Sequence, residues 1–192
     1  MMNDYPTEAE LQAAMNWISQ SPQNDGKLEM IVARPNIEQR EVLTNGQLDP
    51  IEGLVGDNWQ VRGSKRTDDG SAHPEMQITL MNARAIQTLA PDRGRWPLAG
   101  DQLIVDMDLT PENLPPGHQL RIGTAVLEIT AMPHTGCQKF TERFGHDAIR
   151  WVNSPTGRQL RLRGIYAKVI QPGVIQVGDT IEKRGEKVAA AA

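Results

Sequence analysis

Cys137 is the single cysteine of the 192-residue chain and lies in the polar, turn-forming stretch Pro133-His134-Thr135-Gly136-Cys137-Gln138-Lys139. Having no second thiol to bridge to, it can fill core, ligate a metal, or act as a thiolate nucleophile or sulfur carrier. The flanking residues suit the last two uses. Gly136 lets the backbone come close to a ligand or take positive φ, and Lys139, Arg143 and His134 can stabilise a thiolate. Burial as filler stays open at this point, because free cysteine is among the most buried residue types. Cys137 and His134 are therefore the candidate catalytic residues, and Cys137 is also the candidate metal ligand. The four histidines, His73, His118, His134 and His146, are scattered along the chain, whereas a structural zinc site would show clustered ligands. No GxGxxG, P-loop, HExxH or CxxC is present, so nucleotide and zinc-protease chemistry has no anchor.

Charge around the cysteine is uneven. The chain carries a net charge of -4, yet the segment from Cys137 to Lys168 holds seven basic residues against two acidic ones. Such a contrast points to an anionic small molecule near the cysteine, while a solvated basic face explains many such runs. The acidic whole argues against a nucleic-acid partner. No apolar run approaches the roughly 20 residues of a membrane span. The first residues have neither the basic region nor the apolar core of a signal peptide, and a lone thiol fits a reducing compartment, so a cytoplasmic protein is expected.

The elements that must position these residues are mostly strands. Thr7-Glu8-Ala9-Glu10 forms a capping box, and Leu11, Ala14, Met15 and Ile18 follow at helical spacing, which predicts an opening amphipathic helix. Leu28, Met30 and Val32 alternate as in a strand, as do Met76, Ile78 and Leu80, and a short helix is expected over 83–90. Leu103-Ile104-Val105 lies in a further strand. The runs 120–122 and 125–130 flank Gly123-Thr124, a hairpin signal. A short helix is expected over 147–153, stopped by Ser154-Pro155. Arg161 and Arg163 alternate with Leu160 and Leu162, which predicts a strand with one basic and one apolar face. Strands are then expected over 164–170 and 174–177, on either side of Gln171-Pro172-Gly173, with Thr180-Ile181-Glu182 after the Gly178-Asp179 turn. Many short strands with Gly or Pro between them predict a mainly β fold, a barrel with peripheral short helices.

The pattern Gly136-Cys137, then Arg163-Gly164-Ile165-Tyr166-Ala167-Lys168-Val169, then Gly173-Val174-Ile175-Gln176-Val177-Gly178-Asp179-Thr180-Ile181 resembles the MOSC domain family, named after the carboxy-terminal domain of molybdenum cofactor sulfurases. Upstream, Gly53-Leu54-Val55-Gly56-Asp57 and Leu120-Arg121-Ile122-Gly123 resemble further family elements. Many members place Pro directly before the cysteine, where this chain has Gly136. The resemblance implies a MOSC-like β-barrel over 28–185, an N-terminal helix and linker over 1–27 packing on it, and a disordered tail over 186–192. It implies sulfur or molybdenum cofactor chemistry, with Cys137 as persulfide carrier or molybdenum ligand. Lys139, Arg143, Arg161, Arg163 and Lys168 would then hold the phosphate of molybdopterin, a group that Arg matches through paired donors. The pyridoxal-phosphate domain of the sulfurases has no room in 192 residues, and pyridoxal phosphate has no support from the surroundings of Lys139 or Lys168. A stand-alone protein of this kind would take its sulfur from a cysteine desulfurase or serve a molybdoenzyme partner. The alternative is a non-catalytic barrel that binds an anionic, phosphate-bearing ligand or a molybdoenzyme, since fold alone does not establish catalysis.

Overall fold

The structure is a computed structural model that describes residues 6–184; the expected tail over 186–192 lies outside the described residues. Helix α1 (Glu8–Ser19) opens the described chain, and the capping box closes as expected. The Thr7 backbone N–H donates to Glu10 Oε2 at 2.7 Å and the Glu10 N–H to Thr7 Oγ1 at 3.4 Å, satisfying two donors that a helix start leaves free.

Seven strands then close into a barrel. They are β1 (Gly26–Ala33), β5 (Ile78–Asn82), β6 (Leu103–Asp106), β7 (Gln119–Ile122), β8 (Ala125–Ile129), β9 (Ile165–Gln171) and β11 (Thr180–Arg184). Around the barrel the order is β11-β7-β8-β9-β5-β6-β1, and β1 pairs back with β11 at Gly26↔Ile181 and Lys27↔Thr180. Among these pairs only β5 and β6 run parallel. Their crossover carries α3 (Ala83–Leu89) and the 3-10 turns of Arg93–Ala99. β1 gives the far half of the same edge to β2 (Glu41–Leu43). A separate small sheet joins β3 (Asn45–Asp49) to β4 (Gly53–Leu54) on one side and to β10 (Gly173–Gln176) on the other. The mainly β barrel with short helices is therefore the observed fold. No described helix is long and apolar enough to cross a membrane.

Two cores follow from the closure. Leu28, Ile78, Leu80, Leu103, Val105, Leu120, Leu127, Ala167 and Ile181 fill the barrel. Outside it, Leu11, Met15 and Ile18 of α1 pack with Ile86 and Leu89 of α3, and with Phe140, Phe144 and Trp151, over the outward residues of β1, β5 and β6. The alternation expected along β1 is broken by an irregularity between Leu28 and Met30. Leu28 and Ile31 consequently face the barrel interior while Met30 and Val32 face the helices. One extra residue reverses the faces of everything after it, because strand side chains alternate with period two.

Two further expectations change around the cysteine. The helix expected over 147–153 is the second half of α4 (Gln138–Asn153), which is interrupted at Gly145 with φ 89 and ψ 171. Arg161 and Arg163 do not lie in a strand. Leu162 N donates to Gly157 O and Gly164 N to Arg161 O, so the chain is still turning out of α5 (Pro155–Gln159) and β9 begins only at Ile165. Arg161 takes φ 47, which turns it away from the face that strand alternation would give it.

Candidate functional site

Segments that flank four strands build the site: the exits of β1 and β8 and the entries of β6 and β9. Arg34 follows β1 and grips Asp57 through Nε to Oδ2 at 2.7 Å and NH2 to Oδ1 at 2.8 Å, while its NH1 donates to Gly100 O at 2.8 Å. Asp57 also accepts the N–H groups of Arg34 and of Trp59, which opens the short helix α2 (Trp59–Arg62). Arg163 donates to Asp101 Oδ2 at 2.7 Å and to Ala99 O at 3.0 Å, with its guanidinium 4.9 Å from the centre of the Phe140 ring. Both pairs are buried. Charges removed from water need an opposite partner, and loss of one partner would strand the other. They act as a fixed, charge-paired floor.

His134 lies against that floor. Its side chain is 8% exposed, with Nδ1 3.7 Å from Asp101 Oδ1, too far for a hydrogen bond. Neither atom has a hydrogen-bond partner among the described residues. The imidazole stands 4.4 Å from the Tyr166 ring, centre to centre. Burial, and then the charges of Arg163 and Arg34, hold its pKa well below the ordinary histidine value, so it is neutral. Burial pushes the Asp101 carboxyl up, against the pull of Arg163, and raises the Tyr166 phenol as well.

Cys137 is exposed and occupies the N-cap of α4 in an extended conformation, its side chain making no capping bond. Its carbonyl accepts from Phe140 N and Thr141 N. The preceding turn is held by Gly136 N, which donates to Asn153 Oδ1 at 3.1 Å. A Cβ on Gly136 would stand 2.3 Å from Ile149 Cδ1 and 3.1 Å from Val152 Cγ2. The glycine thus serves close packing of the loop on the second half of α4, rather than approach to a ligand or a positive φ.

Floor and rim enclose a cavity of about 240 Å³ bordered by Cys137, His134 and six cationic side chains: Arg34, Arg40, Arg62, Lys139, Arg143 and Arg163. Glu38 pairs at the rim with Lys139, at 2.7 Å, and with Arg143. Lys139 and Arg143, both by hydrogen bonds, pull its carboxyl down to about 2. Arg40 Nε is buried without a hydrogen-bond partner among the described residues, and burial followed by repulsion from Arg143 and Arg34 lowers the pKa of this guanidinium. The donor set suits an oxyanion.

Of the residues expected from sequence, Cys137, His134, Lys139, Arg143 and Arg163 border this cavity. Arg161 and Lys168 do not. Arg161 NH1 donates to Leu109 O and Leu114 O and borders a second cavity on the other side of His134, while Lys168 pairs with Glu128 on the neighbouring strand at 2.8 Å. Among the described residues, no group of three or more His, Cys, Asp or Glu could hold a metal. Sequence reasoning missed Arg34, Glu38, Arg40, Asp57, Arg62, Asp101 and Tyr166 as site residues. Of these, only Asp57 and Tyr166 sat in quoted motifs.

Residues 67–182 match the MOSC domain, which is more than half of the chain. The chain belongs to the MOSC domain family. MOSC domains are associated with molybdenum-cofactor-related proteins. Arg34 and Asp57 lie upstream of the matched region, so part of this MOSC protein's site is built from outside it. The fold is similar to that of the YuaD protein from Bacillus subtilis, with TM-score 0.59 and 19% identity over 84% of this chain and 97% of that one. YiiM from Escherichia coli gives TM-score 0.53 and 18% identity, over 84% of this chain and 71% of that one. YiiM from Geobacillus stearothermophilus gives 0.55 and 15%, over 85% and 77%. A search among curated proteins returned no match.

Proposed function

We propose that this MOSC protein handles sulfur or the molybdenum cofactor, with Cys137 as persulfide carrier or molybdenum ligand. The observation that carries this reading is an exposed thiol bordering a cavity walled by six cationic side chains. A soft thiolate suits both sulfane sulfur and molybdenum. The cationic wall suits the phosphate of molybdopterin, and Arg40 Nε is an unspent donor there. Arg40, Lys139 and Arg143 would hold that phosphate. When bound, the cofactor would supply redox chemistry at its metal.

As a carrier, Cys137 thiolate attacks the outer sulfur of a donor persulfide, a new S–S bond forms, and the donor leaves as its thiolate. The proton on the transferred sulfur is exchangeable with water. A cysteine desulfurase would be the donor, or a molybdoenzyme the recipient. Neutral His134 can accept a hydrogen bond at the inner edge of the same cavity. A buried imidazole holds its neutral form at neutral pH better than an exposed one.

The test is Cys137→Ser in protein purified without oxygen. Mass spectrometry should find an additional sulfur, or bound molybdopterin, on the wild type and lose it in the variant, together with any sulfur-transfer or molybdenum-dependent activity. Because the side chain is exposed, stability should stay within about 0.5 kcal/mol of wild type. Full activity in the serine variant would move the chain to the binding-module reading.

A further inference from the structure

The rim of the cationic cavity is already occupied by an anion that belongs to the chain. Residues 35–40 leave the barrel after Arg34 and return to β2, and Asn36, Ile37, Glu38 and Arg40 border the cavity along the way. Glu38 reaches across to α4, where Oε1 accepts from Lys139 Nζ at 2.7 Å and Oε2 from Arg143 NH2. To do so its backbone adopts φ 61, in the left-handed region that non-glycine residues avoid.

The contact is also weakly anchored. Glu38 is 58% exposed and Lys139 59%, and exposed ion pairs hold little free energy because water and salt compete for both charges. The loop's own hydrogen bonds are short-range: Asn36 Nδ2 to Gln39 Oε1 at 3.0 Å, Gln39 N to Asn36 O at 3.2 Å, Gln39 Nε2 to Glu41 Oε1 at 3.2 Å, and Arg40 NH1 to Gln39 O at 2.6 Å. Behind Glu38 stands a surplus of positive charge, since among the described residues the six cations meet Glu38 and the two floor carboxylates, Asp57 and Asp101. A single carboxylate leaves that surplus uncompensated, and a phosphate, with more charge and more acceptor oxygens, would compensate it further.

We infer that Glu38 is a built-in stand-in for the ligand's phosphate: a phosphate group takes Lys139, Arg143 and Arg40, and the strap over 35–39 swings off the rim as it enters while Arg40 stays. This rests on the reading that the cavity receives a phosphate-bearing ligand. It assigns the phosphate to the rim beside Cys137 rather than to the buried floor, where Arg34 and Arg163 are already paired. It also makes entry competitive with an internal carboxylate.

Titration with inorganic phosphate, followed by calorimetry at low ionic strength, tests this without sulfur or molybdenum. Glu38→Gln removes the competing charge and should bind phosphate about fivefold more tightly than wild type. Adding Lys139→Gln to that variant should reverse the gain. In the wild type, saturating phosphate should speed hydrogen exchange at the Gln39 amide as the strap releases. Equal or weaker phosphate binding by Glu38→Gln would overturn the proposal, as would a Gln39 amide that is unchanged or more protected with phosphate bound. Absence of phosphate binding in both proteins would remove the rim subsite itself. A Cys137→Ser protein with full activity would remove the thiol chemistry while leaving these outcomes as they stand.

Discussion

At the scale of single residues, His134 is buried among groups that disfavour its charged form. Its pKa lies well below the ordinary histidine value because burial, Arg163 and Arg34 all disfavour the cation. The unfolded chain takes up a proton near the ordinary value of about 6.5, whereas the folded protein resists protonation until lower pH. Below that value the unfolded state binds more protons, so stability falls as pH drops. The contribution is complete above about 6.5 and is lost progressively towards the depressed folded pKa. The raised Asp101 carboxyl acts with the opposite sign, since the folded state then holds the extra proton. Chemical denaturation between neutral and mildly acidic pH should therefore show a positive slope of stability with pH. His134→Gln should flatten that slope, and an unchanged slope would show that His134 is not the buried neutral group described here.

At the scale of elements, the cysteine turn depends on how tightly it can lie on α4. Gly136→Ala should cost about 1–3 kcal/mol through overpacking against Ile149 and Val152, read as a lowered Tm. Because the clash is with Ile149 Cδ1, Ile149→Ala should couple to it by about 0.5 kcal/mol or more in a double-mutant cycle. Additive effects would place the strain elsewhere. How far such elements could be seen in the sequence depended on whether their signals were local. The capping box Thr7-Glu10 and the Gly123-Thr124 hairpin were legible because their partners are within a few residues. At Gly123 the chain takes φ 54, and a Cβ would meet Val174 O at 2.3 Å, so glycine there serves both the turn and a distant neighbour. The Arg161-Leu162-Arg163 alternation imitates a strand, and only the bond from Leu162 N back to Gly157 O shows the turn. Gly145 hid the first half of α4 by breaking its helical continuity. Five residues of the candidate site were legible, Cys137, His134, Lys139, Arg143 and Arg163, because their basic and polar types stand out in the segment around and after the single cysteine. The rest was not, since Arg34 meets Asp57 and Arg163 meets Asp101 across 23 and 62 positions, and only barrel closure brings them together.

At the scale of the whole molecule, closure is made by the first and last described strands. Gly26 and Lys27 face Ile181 and Thr180, Leu28 N donates to Asp179 O and Gly178 N to Leu28 O, and Lys183 N donates to Asn24 Oδ1 at 2.9 Å. Because the two strands are antiparallel, the incoming end of β1 and the outgoing end of β11 lie at the same end of this short ladder. A mechanical load applied between residues 24 and 183 therefore pulls across the hydrogen bonds rather than along them, and breaks them one after another, starting at Asn24. Attachments at residues 24 and 178, which lie at opposite ends of the ladder, would instead pull along the strands and load its hydrogen bonds together. In single-molecule pulling the first geometry should open the barrel at clearly lower force than the second. The seam that completes the fold thus yields more readily to a load from one direction than from another, and the molecule is mechanically anisotropic.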